Sequence, residues 1–258
     1  MAEPLLSAEG LTKAYGGVRA CAEVELALAP GELRAVIGPN GAGKTTLTGL
    51  LAGELRPDAG RIRFAGREIQ GLDAAARARA GIGRSYQITS LFPRFTALEN
   101  ARLAVQVASG HSFGFRRAAA RDRRLAARAE ALLGEVGLEA RAAVPVGDLA
   151  HGEQRQLEIA LALAGRPRLL LLDEPTAGMA PEESRAMVAL LQRLRGGVTI
   201  LLVEHDMDAV FALADRITVL VGGRVLATDR PDAIRANAEV QAAYLGQDGG
   251  DGAETAPC

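Results

Sequence analysis

The chain has 258 residues, is 48% hydrophobic, and sets 30 basic residues against 31 acidic ones for a net charge of −1. That composition gives an ordinary globular protein with one large core or two modest ones, and it excludes the basic imbalance expected of a nucleic-acid binder. Cys21 and Cys258 are too few and too far apart for a disulfide framework or a metal site, which fits a reducing cytoplasm.

The opening MAEPLLSAEG lacks a basic start followed by an apolar core, so no targeting leader is expected there. No apolar run reaches the roughly 18 residues of a membrane span, so any spanning segments would belong to a partner. From Leu5 to Ala29 short apolar stretches alternate with polar positions and are interrupted by Tyr15-Gly16-Gly17, which predicts strand, turn, strand. A second apolar run, Leu33 to Ile37, leads into Gly38 to Thr46, read GPNGAGKTT. Gly38, Gly43, Lys44 and Thr45 complete the G-x-x-x-x-G-K-[ST] spacing, and the amphipathic run Thr46 to Leu55 supplies the helix that the motif requires.

The chemistry of that loop follows from its residue types. Glycines let successive backbone N–H groups turn inward, and the following helix adds the positive end of its dipole to the same anion site. Pro39, Asn40, Gly41, Ala42 and Thr46 complete the cradle; Lys44 reaches the β- and γ-phosphates and the Thr45 hydroxyl ligates Mg²⁺. Lys13 and Lys44 are the only lysines among the 30 basic residues, so the composition writes lysine here against its own habit.

Pro57-Asp58-Ala59-Gly60 marks a turn and Arg61 to Phe64 a short strand, so a β-rich flap is expected beside the nucleotide core. Ala74 to Ala80 is helix-prone, and Gly81 to Tyr86 reads as a strand leading into Gln87. From about Thr96 to Ala164, Ala/Leu/Arg/Glu runs at helical spacing predict an inserted helical subdomain. Within it Arg116, Arg117, Arg121, Arg123, Arg124 and Arg128 are read as a solvated helix face, the sharper alternative being contact with acidic lipid head groups or an acidic partner.

LAHGEQ, Leu149 to Gln154, precedes a helical run Arg155 to Ala164 and is a second glycine-containing helix start, hence a second anion half-site. With one phosphate loop and two half-sites, head-to-tail pairing of two chains is expected. The continuous apolar runs Arg168 to Asp173 and Val198 to Val203 predict buried parallel strands, with Pro181 to Leu194 as the crossover helix between them. Asp173 and Glu174 close the first of these at the sheet edge where ligands bind; Asp173 can hold Mg²⁺ and Glu174 can polarise a water for attack on the γ-phosphate. Ile217 to Val221 and Arg224 to Thr228 flank Gly222-Gly223 as a hairpin, and residues 247–258 are expected to be disordered.

Taken in this order, the phosphate loop, Gln87, LAHGEQ, LLLLDEP and Glu204-His205-Asp206 resemble an ATP-binding-cassette ATPase subunit over roughly Leu5 to Gly246. The resemblance implies an α/β fold: a P-loop NTPase core with a mostly parallel sheet, an antiparallel β subdomain and an inserted α-helical subdomain. It divides a single domain, 1–246, into a core of 1–87 and 166–246 and a helical part of about 88–165. ATP and Mg²⁺ are the implied cofactors, each ATP lying between the phosphate loop of one subunit and Ala150, His151, Gly152 and Glu153 of another. Further implied roles are Tyr15 stacking on adenine, Gln87 sensing Mg²⁺ and water while its following loop touches a membrane partner, and His205 bonding the γ-phosphate. Two departures stand out. Ala150 replaces the usual signature serine, and Ala180 in TAGMAP replaces the usual aspartate, which puts dimer closure and subunit communication in question.

LAHGEQRQLEIA, EHDM at Glu204 to Met207, the segment around Phe113 to Arg128 and the ending Ala243-Tyr244-Leu245-Gly246 are similar to ATPase subunits of branched-chain amino acid importers; urea and short-amide systems share much of this wording. The implied partners are a second cassette subunit, identical or paralogous, polytopic permease subunits and, indirectly, a solute-binding protein, at the cytoplasmic face of the plasma membrane. A soluble cassette ATPase acting on ribosomes or DNA would usually carry two cassettes or a long coiled-coil insertion. A small-molecule kinase would leave LAHGEQ and His205 unexplained.

Overall fold

The computed structural model describes residues 3–85, 91–110 and 123–245. Gln87, Phe113, Arg116, Arg117, Arg121 and the 247–258 tail lie outside the described residues.

The predicted strand, turn and strand at the start are β1 (Leu6–Tyr15) and β2 (Val18–Leu28), paired antiparallel around Gly16. They form an antiparallel sheet with β4 (Ala59–Phe64) and β5 (Arg67–Glu68), in the order β2-β1-β4-β5. A second sheet holds β3 (Leu33–Ile37), β6 (Ile82–Arg84), β7 (Leu169–Asp173), β8 (Thr199–Val203), β9 (Arg216–Val221) and β10 (Arg224–Asp229), in the order β10-β9-β3-β8-β7-β6. All its pairings are parallel except β10 on β9, where Gly222 and Gly223 both take positive φ in the two-residue turn.

Every residue of β3, β7 and β8 is buried, as continuous apolar runs require of strands covered on both faces. Alternate side chains feed two cores. Ala35, Leu170, Leu172, Ile200 and Leu202 pack with one cluster, which also contains Ala101 and Val105 of α3 (Ala97–Ala108), Leu132 and Leu133 of α4 (Arg123–Val136), Leu157 of α5 (His151–Leu163) and Met187 of α6 (Pro181–Leu194). Val36, Leu169, Leu171, Leu201 and Val203 pack with the other, against Leu47, Leu50 and Leu51 of α1 (Lys44–Ala52) and the inner face of β1 and β2. The helix that follows the phosphate loop is therefore held between the two sheets.

Local signals set the helix ends. Thr96 and Glu99 bond each other's backbone at the start of α3, and Asp206 accepts two amides at the start of α7 (Met207–Leu213). At the far end of α1 the cap is a cation. Arg77 of α2 (Ala74–Ala80) is 1% exposed and donates to the carbonyls of Leu50 (2.5 Å), Leu51 (2.9 Å) and Leu72 (3.1 Å). Burial pulls its pKa down to about 10, yet the charge sits where the helix dipole is negative.

Candidate nucleotide site

Parallel β3, β7 and β8 are adjacent and in register, Val36 opposite Val203 and Asp173 opposite Val203, so their C-terminal ends share one edge. Three loops leave there: Gly38–Gly43, Glu174–Ala180 and Glu204–Asp206. This is where ligands bind in open parallel sheets.

The first loop depends on two of its glycines. A Cβ at Gly38 would overlap the Leu220 carbonyl, and one at Gly43, whose φ is 101°, would overlap the Ala20 carbonyl. The loop is thus pressed against β2 and β9, and the Gly223 amide donates to the Ala42 carbonyl at 3.0 Å. Lys44, 7% exposed, folds over the loop with Nζ donating to the carbonyls of Gly38 (2.6 Å) and Pro39 (3.0 Å). Burial lowers its pKa, and the charges of Glu174 and Asp173 oppose that shift.

Asp173 is 4% exposed at the end of β7. Its Oδ2 stands 3.5 Å from both the Thr48 hydroxyl and Arg84, while its Oδ1 is buried with no hydrogen-bond partner. Burial raises its pKa, Glu174 adds to the rise, and Arg84, Thr48 and Lys44 oppose it. A buried carboxylate oxygen without a partner is costly unless a ligand completes it. Together with the exposed Thr45 hydroxyl at the start of α1, this oxygen-donor set fits Mg²⁺.

Glu174 points elsewhere. Its φ is 51°, a left-handed conformation that costs a non-glycine residue about 1–3 kcal/mol. The turn carries its side chain to His205, with Oε2 3.1 Å from Nε2. Neighbouring acids thus separate, one facing Thr48 and Arg84, the other His205. Buried Glu204 ties the second and third loops together. Its Oε1 accepts from the Thr176 amide (2.9 Å) and hydroxyl (2.5 Å), and its Oε2 from the amides of His205 (3.0 Å) and Asp206 (3.4 Å).

The LAHGEQ segment is a helix start as predicted, but α5 begins inside it at His151 rather than after it at Arg155. Ala150 has no side chain to cap it, and Glu153 instead accepts the Ala150 amide at 3.0 Å. The Gly152 N–H, expected to face a phosphate, donates to Glu183 Oε1 at 2.9 Å, and His151 Nε2 lies 3.4 Å from the Ala177 carbonyl. Among the described residues no hydrogen bond or ion pair joins Gly38–Thr46 to Ala150–Glu153. The Tyr15 ring is 49% exposed at the end of β1, with Lys13 Nζ 5.7 Å from its centroid.

Thr48, Arg84 and Glu183 were not among the residues picked from the sequence, and Glu204, named there within Glu204-His205-Asp206, was given no role of its own. Each had a signal: a hydroxyl within the apolar run of a helix, an arginine in a short strand, an acid in a helix's first turn, a charge directly after an apolar strand.

A family model described as ABC transporter matches residues 21–177, and one described as branched-chain amino acid ATP-binding cassette transporter matches 224–249. The high-affinity branched-chain amino acid transport ATP-binding protein BraF of Pseudomonas aeruginosa is 41% identical over 257 residues, 96% of this chain and 100% of its own. LivG of Escherichia coli K12, of the same description, is 40% identical over the same shares. A crystal structure of the ADP conformation of an ATP-binding cassette from an ABC transporter superposes with a TM-score of 0.84 at 26% identity, covering 95% of this chain and 100% of that one. A dimeric cassette in a post-hydrolysis state bound to ADP and Pi gives 0.74 at 28%, covering 88% and 98%. With a family model over more than half its length and such relatives along nearly all of it, the chain belongs to the ABC transporter family.

Proposed function

We propose that the chain is the ATP-binding and ATP-hydrolysing subunit of an importer for branched-chain amino acids, working through separate membrane subunits. The observation that carries the chemistry is the shared edge of β3, β7 and β8, which brings the phosphate loop, a buried Asp173 with an unpartnered oxygen, and a Glu174–His205 pair to one site. The cargo rests on the full-length relatives named for branched-chain amino acid transport.

In this reading the loop amides and Lys44 hold the β- and γ-phosphates, and Lys44 exchanges its carbonyl partners for phosphate oxygens. Asp173 and Thr45 would hold Mg²⁺, which supplies charge neutralisation on the phosphate oxygens when bound. Glu174, oriented by His205, accepts the proton of the attacking water, and His205 donates toward the γ-phosphate. Gln87 is proposed to sense the same water, and Tyr15, with an exposed ring, to stack on adenine. Residues 150–153 of a second chain are proposed to close the site, and the segment 88–165 to form the helical part that presents them. Phe92 and Phe95, 55% and 43% exposed with tilted rings 5.5 Å apart just after 86–90, support a permease contact there. No helix among the described residues is long and apolar enough to cross a membrane, in keeping with a peripheral subunit at the cytoplasmic face.

Glu174→Gln tests the chemistry. It keeps the side chain's size and the strained backbone but removes the base, so ATP binding persists, hydrolysis falls by about 10²–10⁴ and an ATP-bound dimer accumulates. Turnover at the parent rate, measured by phosphate release, would remove Glu174 from its role. Purification from detergent-solubilised membranes tests the assembly, with co-recovery of polytopic subunits expected. A genetically adjacent solute-binding protein should then bind leucine, isoleucine or valine.

A further inference from the structure

We infer that Glu183 is a carboxylate latch on the N-terminus of α5, and that pairing of two chains around ATP must release it. The inference rests on the head-to-tail pairing proposed above.

An N-terminal helical turn offers its free amides to an anion. Here two of them are already taken by the chain's own acids: Ala150 N–H by Glu153 and Gly152 N–H by Glu183. Glu183 comes from a different helix. It sits in the first turn of α6, and its second oxygen accepts the Ala180 amide at 3.1 Å, so one carboxylate spans the starts of α5 and α6. A Cβ at Gly152 would lie 3.0 Å from Glu183 side-chain atoms, so the missing side chain is what admits the contact. Both hydrogen bonds hold the Glu183 carboxyl below the usual carboxylate range, so it is ionised at neutral pH.

A phosphate carried by a second chain would bring more negative charge to an amide that already has a negative partner. Either the carboxylate leaves or the phosphate forgoes that amide, and like-charge repulsion favours departure. The latch also has a route inward. Glu183 holds the Ala180 end of the loop whose Thr176 end is clamped by Glu204 beside His205. Release at α5 therefore cuts the tie between α5 and the loop that follows Glu174 in the same chain, while the Ala180 amide can keep its own Glu183 oxygen.

The test uses the full chain in the Glu174→Gln background, with ATP and Mg²⁺, comparing Glu183→Gln and Glu183→Ala by sedimentation. Glutamine keeps the shape but offers one neutral acceptor oxygen where the carboxylate offers two, so it cannot hold both the Gly152 and the Ala180 amides as Glu183 does. The protein concentration for half-dimerisation should therefore fall on the order of tenfold, two latches being weakened per dimer. ATP affinity of the dilute monomer should stay unchanged, because among the described residues no hydrogen bond or ion pair joins Glu183 to the chain's own phosphate loop. An unchanged or higher half-dimerisation concentration in a Glu183→Gln chain with parental Tm would overturn the latch. Should Glu183→Ala fail to fold, Glu183→Gln decides alone. No ATP-dependent dimer in any chain, with monomer ATP binding intact, would remove the pairing itself and the latch with it.

Discussion

Glu158 on α5 is 8% exposed and paired with Arg155 at 2.9 Å, while its other carboxylate oxygen is buried without a partner. Burial raises its pKa against the lowering pull of Arg155 and His151. A carboxyl whose folded pKa lies above its unfolded one binds more protons folded than unfolded, so its contribution to stability declines as pH rises from the unfolded value and levels off above the folded one. Glu158→Gln, which resembles the protonated form, lacks that decline. Its Tm minus the parent's should therefore be more positive at pH 7.5 than at pH 4.5, as read by thermal melts at both; equal differences would mean that the shift is absent. Single residues were the least legible level of the sequence. Lys44, Thr45, Asp173 and Glu174 announce themselves by spacing, but Thr48 owes its importance to Asp173, 125 positions away, and Glu204 to Thr176, 28 positions away. Such partnerships exist only once the sheet has put the loops side by side.

Elements were read more directly, because their causes are local. The buried runs 33–37 and 169–173 became strands, and 74–80 and 181–194 became helices with the expected ends. What periodicity missed were the caps between elements. Arg77 satisfies the last-turn carbonyls of α1 from another helix, and nothing in the alanine-rich run around it distinguishes this arginine from Arg79. Arg77→Met removes that charge and leaves the Leu50 and Leu51 carbonyls buried and unpaired, which costs about 1–3 kcal/mol for each group left unsatisfied. Chemical denaturation should show a loss of that order. A smaller loss for Arg79→Met, on the same helix, would separate the cap from helix propensity.

For the whole molecule the decisive fact is that phosphate loop and LAHGEQ are not bonded to each other within one chain, among the described residues. Activity that needs two chains has a kinetic mark. ATPase rate per chain should rise with protein concentration and then level off, with an order above one at low concentration; a rate per chain independent of dilution would place all the chemistry in one copy. The sheet that carries this site also sets the order in which it can be built. β3 lies between β8 and β9, whose residues begin at Thr199 and Arg216, and the loop it leads into leans on Leu220 and on the Gly223 amide. Nothing made in the first two thirds of synthesis can supply those neighbours. A nascent chain therefore displays GPNGAGKTT early but gains a nucleotide cradle only near the end of its translation, when the late strands arrive to close around a segment that has waited for them.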